Sequence, residues 1–282
     1  MEGDRISRSD FPAERSAPAI SVRDLRVKYG EHEILHGISF DAPAGQTLVI
    51  LGGSGSGKST LLRTLVGLEN PSGGSIRIRG KDFAGMKESE RDELRKKMGM
   101  SFQSGALFGS MTVAENVALP LREHTQLDES TIDIMVRLKL NQVGLSGFEN
   151  YMPAQLSGGM KKRAAIARAL AMDPEVLFFD EPSAGLDPII AAGIDELILK
   201  LKQAFHITIL VVTHELSSAF LIADRMLLLI KGNIVVDGTP EELRQSTQPR
   251  VRQFLDRIPE QELTGEIDYL QMLTGEIPPE RQ

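Results

Sequence analysis

Residues 47–62 read Thr-Leu-Val-Ile-Leu, then Gly-Gly-Ser-Gly-Ser-Gly-Lys-Ser, then Thr-Leu-Leu. The first five are aliphatic or β-branched and fit a strand buried on both faces. The next eight satisfy G-x-x-x-x-G-K-[ST], and Leu61 and Leu62 open an apolar helical stripe. Glycines let such a loop curl so that successive N–H groups point at phosphate oxygens, and the helix that follows adds partial positive charge. Gly52, Gly53, Ser54, Gly55, Ser56, Gly57, Lys58 and Ser59 are therefore the expected cradle of a nucleoside triphosphate. In that reading Lys58 neutralises the β- and γ-phosphates and Ser59 ligates Mg²⁺. A dinucleotide site is not expected, because the G-x-G-x-x-G spacing is not met in this loop.

Outward from the loop, strands are expected at 20–27, 47–51, 176–180, 207–212 and 226–230, separated by amphipathic helical stretches. That alternation predicts an α/β fold with a mostly parallel sheet. Between about residues 104 and 152 the strand signal gives way to helical periodicity, as in 130–138, and reads as a helical insertion. The run Val-Leu-Phe-Phe ends on Asp180 and Glu181. Asp180 at a strand end is expected to complete the metal site, and Glu181 to orient and deprotonate a water that attacks the γ-phosphate.

Phosphate loops are common, and the deciding residues lie elsewhere. Leu156-Ser157-Gly158-Gly159-Met160 precedes Asp180-Glu181, and together with the loop these resemble an ABC ATPase over roughly residues 18–245. The resemblance implies a P-loop NTPase (RecA-like) core with an antiparallel β subdomain and a helical subdomain at about 104–160, flanked by a leader over 1–17 and a tail over 246–282. It implies ATP and Mg²⁺ as cofactors, with Tyr29 stacking on adenine, Thr60 beside Ser59, and Gln103 linking the nucleotide and metal to the helical subdomain. His214 would contact the γ-phosphate, and Asp187 closes the segment after the catalytic carboxylate. Ser157, Gly158 and Gly159 open a helix expected over 160–172, so their hydroxyl and N–H groups form a second phosphate site. One chain with two such surfaces implies a head-to-tail homodimer with ATP between P-loop and signature.

Met160 stands where most of these ATPases carry Gln, and 103–124 with 156–170 resemble the branch that powers Mla-type phospholipid transporters. That branch implies a permease dimer, an MCE-domain lipid-binding protein and a place on the cytoplasmic face of the inner membrane. The competing reading is a soluble ABC ATPase acting on a macromolecular complex. Leu107, Phe108, Met111, Val113 and Val117 either receive a permease helix or form the core of the insertion.

The remaining features exclude more than they assign. A formal charge of -7 disfavours broad attraction to nucleic acid, and with no cysteine there is no disulfide or thiolate metal site. Apolar runs such as 226–230 are far too short to span a bilayer, and the polar N-terminus is unlike a signal peptide. Lys161-Lys162-Arg163 reads as a solvated helical face. His32 and His36 fall in a connection between strands, where no metal is expected, and the doubled Leu-Thr-Gly-Glu-Ile at 263–267 and 273–277 is too short for a repeat fold.

Overall fold

The computed structural model describes residues 17–258. In chain order it runs β1 (Ile20–Tyr29), β2 (His32–Ala42), β3 (Thr47–Leu51), α1 (Lys58–Leu65), β4 (Gly73–Ile78), β5 (Lys81–Asp82), α2 (Glu88–Arg95) and β6 (Met98–Ser101). Then come α3 (Val113–His124), α4 (Glu129–Gln142), α5 (Gly158–Ala169), β7 (Val176–Asp180), α6 (Pro188–Phe205) and β8 (Thr208–Thr213). The remainder is α7 (Leu216–Ile222), β9 (Arg225–Ile230), β10 (Asn233–Gly238), α8 (Pro240–Gln245) and α9 (Pro249–Leu255).

Two sheets form. β2-β1-β4-β5 make a small antiparallel sheet, and β10-β9-β3-β8-β7-β6 make the central one, parallel except at the β9–β10 edge. Successive side chains of a strand point to opposite faces, so each central strand feeds two cores. Val49 and Leu51, Leu177 and Phe179, and Ile209 and Val211 pack with α3, α5 and α6. Leu48 and Ile50, Val176 and Phe178, and Leu210 and Val212 pack with α1 and the small sheet. Strands buried on both faces need continuous apolar runs, which is why β3, β7, β8 and β9 were readable from composition.

Of the antiparallel sheet only β1, expected at 20–27, was read as a strand. His32 and His36 lie within β2 rather than in a connection, and His36 sits 3.7 Å from Glu33. Helix α5 starts at Gly158 and ends at Ala169, two residues before the start and three before the end of the expected 160–172; the Ser157 hydroxyl accepts from the Met160 N–H and caps it. In the helical insertion Val113 and Val117 are fully buried core, while Phe108 is half exposed. Thr112 and Glu115 form a reciprocal capping box on α3, and Asp128 caps α4 through the Thr131 N–H. Buried Lys139 of α4 pairs with Asp173 just ahead of β7, tying the insertion to the core. The doubled pentapeptide at 263–277 and nearly all of the leader lie outside the described residues.

Candidate nucleotide site

The carboxyl ends of β3, β7 and β8 lie side by side, with Leu51 opposite Thr213 and Asp180 opposite Val212. In a parallel sheet this edge is where loops leave the strands and ligands bind. From β3 the phosphate loop turns into α1 through Gly57, whose φ of 103° suits glycine alone and where a side chain would come within 2.9 Å of Leu35. No side-chain hydrogen bond caps α1. The Lys58 ammonium is buried and donates to the Gly52 and Gly53 carbonyls at 2.8 and 3.0 Å. Burial lowers its pKa, opposed by the charges of Glu181 and Asp180.

A cavity of about 540 Å³ opens over this loop, lined by Ile34, residues 54–60, Gln103, Glu181 and His214. Residues distant in sequence thus meet in one space large enough for a triphosphate. Glu181 is itself buried, with a left-handed backbone at φ 47°. The Thr213 hydroxyl donates to its Oε2 at 2.9 Å, the His214 N–H reaches the same oxygen at 3.3 Å, and His214 Nδ1 lies 2.9 Å from Oε1. Asp180 Oδ1 is buried without a hydrogen-bond partner, and burial, then the neighbouring Glu181 charge, raise this carboxyl's pKa. Such a group invites a cation. Among the described residues no set of three or more His, Cys, Asp or Glu side chains is arranged to hold a metal, so an ion here would share its ligands with phosphate oxygens and water, as Mg²⁺ does.

Tyr29, Ser157, Gly158, Gly159 and Asp187 do not line this cavity. Tyr29 ends β1 and is 43 % exposed. Ser157 and Gly158 stand exposed at the start of α5. A side chain at Gly159 would run into Ile190, so close packing against α6 requires glycine there independently of any anion. Asp187 caps α6, accepting from the Ile189 and Ile190 N–H groups at 3.1 Å each. The chain therefore carries a lined cavity and, apart from it, an exposed helix start.

Three residues at the site were not anticipated, among them Ile34 of β2 in the cavity wall. Thr213 could have been found, since a strand ending in Thr next to His214 puts a hydroxyl beside the expected carboxylate. Lys162 corrects the reading of 161–163 as a solvated face: it is 8 % exposed and its ammonium donates to the Gln103 and Glu181 carbonyls. No local pattern signals that, because the burial arises only when α5 packs across the sheet edge.

The sequence profile of the ABC transporter family matches residues 35–184. The intermembrane phospholipid transport system ATP-binding protein MlaF of Escherichia coli strain K12 is 43 % identical over 242 residues, covering 86 % of this chain and 90 % of that protein. The probable ribonucleotide transport ATP-binding protein mkl of Mycobacterium leprae is 44 % identical over 238 residues, covering 84 % of this chain and 69 % of that protein. Among solved structures, the ATP-binding cassette MJ0796, dimeric and bound to ADP and Pi, superposes with a TM-score of 0.72 at 30 % identity, covering 78 % of this chain and 98 % of its own. CbiO1 from Clostridium perfringens, part of an ABC transporter complex, gives 0.76 at 31 % identity, covering 86 % and 97 %. The phosphate loop, the strand-end carboxylates and these relatives agree: the chain belongs to the ABC transporter family and is one of its ATP-hydrolysing cassettes.

Proposed function

We propose that this chain powers phospholipid transport between inner and outer membranes, as a homodimer beneath a permease dimer on the cytoplasmic face of the inner membrane. The observation that carries this is the match to MlaF across 90 % of that protein's length, against 69 % for the relative named for ribonucleotide transport. Among the described residues no helix is long and apolar enough to cross a membrane, so the transport path belongs to partner chains. An MCE-domain lipid-binding protein completes the assembly.

In this reading residues 52–60 cradle the phosphates of ATP, Lys58 neutralises charge on the β- and γ-phosphates, and Tyr29 stacks on adenine. Ser59, Asp180 and Gln103 would hold Mg²⁺, which when bound offsets phosphate charge. Glu181 is the general base, taking a proton from the attacking water, and His214 contacts the γ-phosphate. Ser157, Gly158 and Gly159 of the partner, with Asp187, close the same nucleotide from the other side. A cavity of about 550 Å³ between α2, β6, α3 and α5, with Met98, Met100, Phe108, Leu119 and Met172 in its wall, suits a permease helix with an apolar face.

The test is affinity purification of the tagged chain from its native membranes in mild detergent, with protein and lipid identification. Recovery of a permease, an MCE-domain protein and phospholipid is expected. Recovery of soluble partners alone would move the assignment to a non-transport ABC ATPase, and a permease carrying nucleotides instead of lipid would move it to the substrate named for the mycobacterial relative.

A further inference from the structure

We propose that Lys162 is a positioning residue for hydrolysis: from the signature helix α5 it grips the backbone carbonyls of Glu181 and Gln103, holding in register the two loops that face the γ-phosphate. The inference rests on the roles given above to those two residues.

Four observations carry it. Lys162 is 8 % exposed, and its ammonium donates to the Gln103 carbonyl at 2.5 Å and to the Glu181 carbonyl at 2.9 Å, carbonyls from loops 78 residues apart in sequence. A buried ammonium bonded to carbonyls rather than carboxylates costs desolvation, and burial lowers its pKa, opposed by the nearby charges of Asp180 and Glu181. Packing alone would be served more cheaply by methionine or leucine. Glu181, moreover, is a non-glycine residue in the left-handed region at φ 47°, a conformation that persists only where surrounding contacts impose it. Its N–H donates to the Val212 carbonyl and its own carbonyl accepts from Lys162, so both ends of the strained peptide are held.

The same helix repeats the device. Arg168 donates to the carbonyls of Gly105 and Ala106 at 2.8 and 2.7 Å, and Ala106 is also left-handed, at φ 46°. Two cations of α5 thus bond the carbonyls of two left-handed turns. Glu181's carboxylate is steered from the other face by Thr213 and His214, while Lys162 adds a side-chain grip to the backbone bonds to Val212 and Ala184 that hold the peptide from which that carboxylate hangs.

The test measures steady-state ATP hydrolysis and equilibrium ATP affinity of the full chain in Lys162→Met, Lys162→Arg and Lys162→Leu, alone and combined with Glu181→Gln. In Lys162→Met, which keeps length and apolar stem, kcat is expected to fall about tenfold or more while ATP affinity stays within about twofold, since no phosphate ligand is touched. Lys162→Arg, which can still donate to a carbonyl, recovers most of the rate. Added to Glu181→Gln, Lys162→Met lowers the residual rate little further, because misplacing an absent base has no consequence. Unchanged kcat in Lys162→Met overturns the inference, as does a fully additive loss in the double variant or a parallel loss of affinity, rate and thermal stability. Should Lys162→Met fail to fold, Lys162→Leu, which likewise cannot donate, decides in the same way: a kcat loss at unchanged affinity supports the inference and wild-type turnover removes it. Full activity in Glu181→Gln would instead remove the assignment of the base on which the inference stands.

Discussion

At the scale of single residues, the proposed function separates the atoms assigned to hold ATP from the atom assigned to activate water. The Glu181 carboxylate is held by hydrogen bonds from Thr213 and His214, not by the phosphate loop's side chains. Glu181→Gln preserves size and leaves every phosphate ligand in place, so ATP affinity should persist while hydrolysis falls by about 10²-fold or more, the usual worth of a general base. A Glu181→Gln chain hydrolysing ATP at the unaltered rate would remove that role. Lys58→Ala acts on the other half of the division: loss of a buried cation facing the phosphates should weaken ATP binding about tenfold or more in a direct titration, and unchanged affinity would refute the cradle. Thr213→Val removes the hydroxyl that fixes Glu181 Oε2 without changing volume, and a severalfold lower kcat at unchanged affinity is expected. Lys58 and Glu181 were legible because their motifs state spacing and strand context together. Thr213 was legible only through its place at a strand end beside His214, and Lys162 not at all, since it takes its meaning from a carbonyl 19 residues away.

At the scale of elements, the same contrast follows from chemistry. β3 and β7 are buried on both faces and announce themselves as apolar runs, whereas β4 (Gly-Gly-Ser-Ile-Arg-Ile) and β6 (Met-Gly-Met-Ser) carry glycine and polar residues that deny them a strand signature. Their pairing partners make them strands. The long α6 shows how an element can also carry a cost. Asp195, on its inner face and 3 % exposed, accepts from Ser218 of α7, while its Oδ1 has no partner. Burial raises its pKa in the fold, so the folded state disfavours the carboxylate. For an acid whose folded pKa lies above its unfolded value, the fold is undisturbed below the unfolded pKa and loses stability as pH climbs through the folded one. Asp195→Asn keeps an acceptor for Ser218 and cannot ionise. It should therefore raise the melting temperature at pH 7.5, with a smaller difference near pH 4. A lower melting temperature at pH 7.5 would show that the carboxylate is compensated by a contact other than Ser218.

At the scale of the whole molecule, the cavity over the phosphate loop and the start of α5 are two separate surfaces, since none of Ser157, Gly158 and Gly159 lines the cavity. A head-to-tail pair can bring both to one nucleotide, with each ATP lying between the loop of one protomer and Ser157 to Gly159 of the other. The arrangement has a consequence that a single-chain site lacks. Lys58→Ala disables the loop and Ser157→Arg blocks the signature, so a pure preparation of either variant holds no complete site. In a mixed dimer both defects fall on the same nucleotide, and the other nucleotide keeps an intact loop and an intact signature. Equal mixing makes about half the dimers mixed, each with one good site of two, so about a quarter of the unaltered level of occluded ATP should return. The measurement is nucleotide retained after rapid gel filtration, with sedimentation velocity to follow the dimer. If each chain closed its own site, mixing two disabled chains would restore nothing, because every loop would still face a defect in its own protein. Recovery on mixing therefore distinguishes shared sites from separate ones.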